Sequence, residues 1–211
     1  MDKPGVALGD ENYAGFKKLM AASGCTRCAL SASRTHIVVD RGNPEAKVLF
    51  IGEAPGESED LAGRAFVGRS GRLLDGMLAE IGFDTNRDAL IANVVKCRPP
   101  KNRAPLPGEA AACRPFLAKQ ISLVRPRLMV LLGKTALKHL IPEKKDFPMA
   151  GEAGRSFRHP AYPDMDLMVL FHPAYILRDP RKKPLMAGHL LALKEFWMLH
   201  IKNGQSERIK G

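Results

Sequence analysis

Four short apolar runs constrain the fold of this chain more than any other feature of its sequence. Each run is apolar at successive positions, and each ends in polar residues, glycine or proline. The runs cover residues 47–51, 89–92, 128–132 and 167–171. Strands buried on both faces of a parallel sheet have this pattern. The runs therefore predict four neighbouring strands inside an α/β protein.

Helical patterns separate these runs. Residues 71–81 carry apolar side chains at helical spacing, and residues 134–141 follow the third run. Residues 108–124 are helical in composition, with a kink or a restart indicated by Pro115. A last helix is predicted at residues 188–200. The alternation of strands and helices predicts a three-layer α/β/α sandwich around a central four-stranded, mostly parallel sheet.

Length and charge narrow the class of protein. We expect a single domain over residues 1–211, because this length suffices for a substantial core, with a flexible tail over roughly 203–211. Lys and Arg number 33 against 22 Asp and Glu. This excess favours a nucleic-acid partner over a merely solvated basic surface. With no apolar run near the ~20 residues of a membrane span and no visible secretory signal, we expect a cytoplasmic, nucleoid-associated monomer without membrane contact.

Polar residues follow the predicted strands directly. Glu53 comes after the first run, where a carboxylate could position a water. Asn93 ends the second run, and its amide could either cap a turn or read the edge of a pyrimidine. His172 follows the fourth run, either as a structural hydrogen-bonding residue or as a catalytic group. Because open parallel sheets bind ligands at the carboxyl ends of their strands, these residues predict one shared crevice.

Two glycine-containing segments near this edge differ from known phosphate-binding motifs. The segment 63–71 is too irregular for a dinucleotide fingerprint, and its Phe66 is either a core aromatic or a platform on which a base stacks. The segment 132–135 resembles the end of a phosphate-binding loop. However, Leu128 stands where that motif requires glycine, which excludes the ATPase interpretation.

The four cysteines of the chain predict a metal centre. Cys25 and Cys28 form a close pair, and Cys97 and Cys113 lie far along the chain. In a reducing compartment such cysteines are more plausibly ligands than disulfides. Spacing alone leaves zinc and an iron–sulfur cluster nearly even, although a second Cys-x-x-Cys pair is missing, which counts against a zinc ribbon. The stretch 96–107 is basic and rich in proline, as expected of a rigid platform facing a polyanion.

Together these segments resemble the family 4 uracil-DNA glycosylases, the iron–sulfur branch of the uracil-DNA glycosylase superfamily. The resemblance runs from about Cys25 to the final helix and includes the order and spacing of the cysteines. The other matching positions are 52–56, 59–60, 63–64, 66–68, 71, 93–100, 102–107, 132–133 and 172–173.

The resemblance implies a cofactor and three catalytic residues. The four cysteines would hold a structural [4Fe–4S] cluster. Glu53 would help to position the attacking water, and His172 would stabilise the negative charge that develops on the leaving uracil. Asn102, in the loop after the third cysteine, would assist the site.

The resemblance also implies how the base is held. The backbone of Ala54 would donate a hydrogen bond to uracil, Phe66 would stack on it and Asn93 would read its edge. Some family members carry glycine at the position of Ala54, which bears on the range of substrates. A related branch that binds uracil-DNA covalently has a histidine in the loop here spanning 98–107. This chain has none there, which favours turnover.

DNA contacts are predicted after the fourth strand. An apolar side chain, Ile176 or Leu177, would enter the gap left by a flipped base. The basic residues that would contact phosphates are Arg178, Arg181, Lys182 and Lys183.

The leading interpretation is a monofunctional DNA-repair glycosylase that hydrolyses the N-glycosidic bond of uracil in DNA, with free uracil and an abasic site as products. An alternative is a cluster-bearing damage sensor that binds uracil-DNA without turnover. A third, a nucleotide-binding enzyme with a zinc site, is disfavoured because both nucleotide-binding motifs are missing.

Overall fold

The computed structural model describes residues 12–143, 147–159 and 162–202 and contains a single six-stranded sheet within them. Its strands are β1 (Arg41–Gly42), β2 (Val48–Gly52), β3 (Ala89–Asn93), β4 (Leu128–Leu132), β5 (Ser156–His159) and β6 (Tyr162–Leu170). The order across the sheet is β1-β3-β2-β4-β6-β5.

The inner strands β3, β2, β4 and β6 are parallel, and they confirm the four strands expected from the apolar runs. The sheet nevertheless has six strands, because β1 and β5 pair antiparallel at its two edges. Edge strands of two and four residues are too short to produce a recognisable period in the sequence.

Eight helices are described. They are α1 (Tyr13–Ala22), α2 (Glu57–Ala62), α3 (Arg69–Glu80), α4 (Pro107–Val124), α5 (Gly133–Leu140), α6 (Met149–Glu152), α7 (Pro173–Arg178) and α8 (Lys183–Trp197). Short 3₁₀ turns lie at 29–32, 100–102 and 180–182, and a π-helical turn lies at 198–202. No helix within the described ranges has the length and apolar character needed to cross a membrane.

Two apolar clusters form the core, one on each face of the sheet. Alternate residues of the inner strands point to opposite sides, as in Leu49 and Phe50 of β2. One face packs against α1, α4 and α5, and the other against α3, α7 and α8. This confirms the α/β sandwich, with helices on both sides of a sheet whose strands β2, β3 and β4 are buried throughout.

Two helices differ from the sequence-based expectation. Helix α4 continues through Pro115, so no restart occurs there. Pro115 and Ala111 both lie on the exposed face of α4, where water can satisfy the carbonyl that loses its intrahelical partner. Helix α8 starts at Lys183, earlier than the predicted 188. The predicted flexible tail at 203–211 lies outside the described residues.

A buried polar network fastens α1 to the rest of the fold. The carboxylate of Asp40, only 2% exposed, accepts hydrogen bonds from the Tyr13 hydroxyl at 2.7 Å and from the Lys17 ammonium at 2.6 Å. The Gln120 amide of α4 donates to the Tyr13 oxygen at 2.9 Å. These hydrogen bonds join α1 to two distant parts of the chain and so fix the position of the N-terminal helix.

Helix α3 begins in direct contact with the turn at Phe66. Phe66 has a left-handed backbone conformation, with φ of 52°. A Cβ atom at Gly71 would overlap the backbone carbonyl of Phe66. Glycine at this position therefore allows the Phe66 turn to lie against the first turn of the helix.

We predict opposite effects for alanine at two glycines of α3. Gly71→Ala should reduce the free energy of unfolding by roughly 1–3 kcal/mol, because the added methyl group displaces the Phe66 backbone. Gly76→Ala is the matched control: its Cβ meets nothing within 4 Å, so better helix propensity should raise stability by up to about 1 kcal/mol. Urea denaturation of both variants measures the difference, and equal effects would contradict the close contact.

Candidate active site

A cavity of about 700 Å³ opens at the carboxyl edge of the parallel strands. Its wall contains residues that directly follow β2, β4 and β6, together with the last residue of β3. The cavity thus occupies the crevice that the strand ends predicted. All six residues assigned in the sequence to catalysis or base binding lie on its wall: Glu53, Ala54, Phe66, Asn93, Asn102 and His172.

Asn93 presents an unpaired amide inside this cavity. Its side chain is 1% exposed, and neither Oδ1 nor Nδ2 has a hydrogen-bond partner in the described part of the chain. Buried amides are normally paired, so this donor and acceptor are available to a ligand with a complementary edge.

Gly52 allows the cavity wall to close around Asn93. The two residues are paired across β2 and β3. A Cβ atom at Gly52 would lie 2.5 Å from the Asn93 Oδ1 atom and 2.5 Å from the Cζ atom of Phe66. Because glycine has no side chain, the Phe66 ring and the Asn93 amide can both approach the end of β2.

His172 enters the cavity as a neutral hydrogen-bond donor. It caps the N-terminus of α7, where its Nδ1 accepts the backbone N–H of Ala174 at 3.1 Å. Nδ1 therefore carries no hydrogen, and the neutral ring carries its hydrogen on Nε2. Burial, followed by the positive charge of Arg178, lowers the pKa of His172 to about 4. The centroids of the His172 and Phe66 rings are 6.0 Å apart.

We predict that His172 titrates well below an ordinary histidine. NMR of its ring nitrogens, assigned by comparison with His172→Ala, should show the neutral Nε2–H form down to about pH 5 and a pKa near 4. The unfolded chain takes up this proton near pH 6.5. The contribution of His172 to folding stability is therefore complete above pH 6.5 and is lost as the pH falls from there towards 4. A measured pKa near 6.5 would contradict this environment.

Glu59 holds two loops of the cavity together. Its carboxylate accepts the backbone N–H of Gly56 at 3.1 Å and that of Gly68 at 2.7 Å. Gly56 precedes α2 and Gly68 precedes α3, so one buried anion caps both helix N-termini. The loops that carry Ala54 and Phe66 are thereby joined. This role of Glu59 was not predicted from the sequence, although glutamate three residues after a helix cap is a recognisable signal.

Asn102 and Glu53 lie at the wall with different degrees of exposure. Asn102 is exposed and left-handed, with φ of 55°, and its Oδ1 accepts the Arg98 Nε hydrogen at 2.8 Å. This bond leaves its Nδ2 group as the available donor. Glu53 is half-buried, and its backbone carbonyl accepts the N–H of Val95 at 3.3 Å.

The four cysteines surround a second, smaller cavity of about 20 Å³. Cys97 and Cys113 are buried, and Cys25 and Cys28 are half-buried. Arg34 joins two of them, donating to the Cys97 sulfur at 3.6 Å and to the Cys25 carbonyl at 2.6 Å. Within the described residues, no three His, Cys, Asp or Glu groups are placed to hold a single metal ion.

The chemistry of these thiols fits a cationic centre. Burial raises the pKa of Cys97 to about 12 and also raises the pKa of Cys113. Buried thiols of this kind keep their protons unless positive charge is placed beside them, which is what a bound metal centre provides. Four cysteine ligands are the donor set of a [4Fe–4S] cluster as well as of some zinc sites.

Lys96 connects the two cavities and was not predicted from the sequence to have a role. It is 1% exposed, and its ammonium donates to the Asn93 carbonyl at 2.8 Å. Burial lowers its pKa to about 8. Lys96 also lines the smaller cavity together with the four cysteines.

Part of the predicted DNA surface lies at the mouth of the larger cavity. Arg178 and Lys182 line it. The Arg181 Nε atom lies 2.7 Å from the Asp179 Oδ1 atom, and the Lys183 Nζ atom lies 3.8 Å from the Glu80 Oε1 atom. Both basic residues therefore form ion pairs at the surface.

The predicted insertion of Ile176 into DNA is wrong. Ile176 is 2% exposed and packs in the core beneath α7, because this segment is helical and turns Ile176 inward. Leu177 is half-buried. The exposed apolar residue at this mouth is Leu185, at 42% exposure on the first turn of α8.

Comparison with known proteins defines the class to which this fold and cavity belong. Residues 39–195 match the family model described as the uracil DNA glycosylase superfamily. Among curated proteins, the type-4 uracil-DNA glycosylase of Thermotoga maritima is 43% identical over 74% of this chain and 79% of its own length. That of Sulfurisphaera tokodaii is 37% identical over 81% of this chain and 79% of its own.

A type-5 uracil-DNA glycosylase of Thermus thermophilus is 33% identical, over 57% of this chain and 59% of its own length. The type-4 relatives therefore share more of the chain. The protein belongs to the type-4 family of the uracil-DNA glycosylase superfamily, as its motifs predicted.

Proposed function

We propose that this protein is a monofunctional uracil-DNA glycosylase, which hydrolyses the bond between uracil and deoxyribose and leaves an abasic site. The observation that carries the proposal is the unpaired Asn93 amide, buried in a cavity that also contains the neutral imidazole of His172. The names of the type-4 relatives support the same activity.

The cavity residues account for binding of a flipped base. Uracil presents an acceptor oxygen beside a ring N–H, and the amide of Asn93 offers the complementary donor and acceptor. Phe66 provides an aromatic surface for stacking, and the backbone of Ala54 supplies a further donor. The base reaches this cavity only after rotation out of the duplex, because its glycosidic bond is inaccessible in the base stack.

His172 acts on the charge that develops as the bond breaks. The electrons of the C1′–N1 bond move to uracil, which leaves as an anion, while C1′ acquires positive character. The Nε2–H group of His172 donates to the developing anion and stabilises the transition state more than the bound substrate.

Water completes the reaction at C1′. Its oxygen forms the new bond to the sugar, its proton is released, and the uracil anion is protonated to free uracil. Glu53 positions this water. The negative charge of the Glu53 carboxylate also stabilises the positive charge on the sugar. Asn102 assists from the loop between Cys97 and α4.

We assign DNA binding to the cationic mouth of the cavity. Arg178 and Lys182 line it, and Arg181 and Lys183 extend it. These charges would contact phosphates through salt-dependent interactions. With Ile176 buried, the exposed side chain of Leu185 is the apolar group placed to fill the gap left by the base.

The cysteine site would hold a [4Fe–4S] cluster through Cys25, Cys28, Cys97 and Cys113. Bound there, the cluster supplies a structural crosslink among these segments, without entering the chemical step. Its position at the start of the 97–107 loop would hold Asn102 and the neighbouring basic residues against the cavity.

Excision of uracil is the direct test of this function. Purified protein incubated with a uracil-containing oligonucleotide, then treated with alkali, should yield strand breaks at uracil. His172→Ala should reduce the single-turnover rate by roughly 10²-fold or more, the scale of losing one such stabilising donor. Binding to uracil-DNA should change much less.

The matched control is His200→Ala, since His200 is exposed and only packs near Phe196 at a centroid distance of 4.6 Å. Its rate should equal that of the parental protein. Binding of uracil-DNA by the parental protein without strand breaks would favour the damage sensor. Excision at the parental rate by His172→Ala would refute the active-site assignment.

Iron analysis tests the cofactor. Anaerobically purified protein should be brown, absorb broadly near ~400 nm and contain about four irons per chain. Cys97→Ser should lower iron content, thermal stability and excision together, because the cluster joins distant segments. Stoichiometric zinc without iron in the parental protein would contradict the cluster.

A further inference from the structure

We propose that Lys96 is a positioning residue for uracil recognition, which fixes the Asn93 carbonyl and thereby the direction of the Asn93 amide. The inference rests on the proposed function and deepens it. It concerns a residue that does not line the cavity and so would not touch the substrate itself.

Within the described chain, no side-chain hydrogen bond holds Asn93 in place. Its amide atoms have no protein partner among the described residues, so no side-chain hydrogen bond determines where the amide points. Its direction then depends on packing and on the backbone at position 93. That backbone lies at the last residue of β3, where the following N–H of Val94 still donates to the Gly52 carbonyl at 3.0 Å and the carbonyl of Asn93 faces Lys96.

Lys96 forms hydrogen bonds at both ends of the turn that follows β3. Its ammonium is buried and donates to the Asn93 carbonyl at 2.8 Å, across the turn that leaves β3. At the other end of the same turn, the Lys96 carbonyl accepts the N–H of Val38 at 2.8 Å. The lysine thus closes the 93–96 turn from inside and anchors it to the neighbouring segment.

Lys96 also lies beside the cysteines, because it lines the smaller cavity together with all four of them. The buried carboxylate of Asp40 is already paired with Lys17 at 2.6 Å and bonded to Tyr13. Among the described residues, the hydrogen bond that the Lys96 ammonium makes is the one to the Asn93 carbonyl.

These contacts make Lys96 a connection between the cysteine centre and the base. Lys96 lines the cysteine cavity, and its ammonium donates to the carbonyl of Asn93, the residue proposed to read the base.

The test is a double-mutant cycle of Lys96→Met with Asn93→Ala. Methionine keeps an unbranched apolar chain of similar length but removes the donor and the charge. Lys96→Met alone should slow single-turnover uracil excision and weaken binding of free uracil, each by roughly tenfold, the value of one buried hydrogen bond. In the Asn93→Ala background, the same change should have no further effect, because no amide remains to be positioned.

Lys194→Met is the matched control, since it removes one positive charge from an exposed position on α8. It should leave both measurements unchanged. Iron content and melting temperature are measured for every variant, so that loss of the cysteine centre is seen directly.

Three results would overturn the proposal. They are an equal loss from Lys96→Met in both backgrounds, the parental rate and uracil affinity in Lys96→Met, or loss of iron from this variant, which would assign Lys96 to assembly of the cysteine centre. Failure of the parental protein to excise uracil would instead count against the proposed function. Because the affinity for free uracil is measured without excision, the cycle still decides the role of Lys96 in that case.

Discussion

The parallel pairing of β2 with β3 on one side and β4 on the other is the constraint on which the site depends. Parallel strands end at the same edge, so the residues that follow them meet although they are far apart in the chain. The pairing of Gly52 with Asn93 sets the back wall of the cavity, and the neighbouring strands add Gly133 and His172. Burial of the inner strands on both faces makes this register rigid.

Around this rigid edge, single polar contacts determine the shape of the cavity. Glu59 joins the loops before α2 and α3 with one carboxylate, and Gly71 lets the turn at Phe66 lie against α3. His172 is held in one tautomer by the helix it caps. In each case a residue without a proposed catalytic or binding role fixes the orientation of a residue or loop that has one. Sites are preorganised on stable elements in this way.

Much of this arrangement could be predicted from the sequence, and the exceptions have physical reasons. The inner strands were predictable because their apolar runs are continuous, and His172 because it follows one of them. The role of Glu59 depends on the distance between two loops, which no local pattern encodes. Lys96 stands in a basic stretch and so resembles a surface residue. The burial of Ile176 could not be predicted, because it depends on which side of α7 packs against the core.

The fastening of α1 has a consequence for how the chain folds as it leaves the ribosome. Tyr13 is bonded to Gln120, a residue 107 positions later, so the contact of α1 with α4 forms only after the first 120 residues have been synthesised. Cys25 and Cys28 likewise wait for Cys113 before the cysteine cavity can close. During this interval the apolar face of β2 lacks its covering helices. During its synthesis the nascent protein therefore exposes an apolar surface that chaperones can bind. The thiols beside this surface are open to oxidants during the same interval.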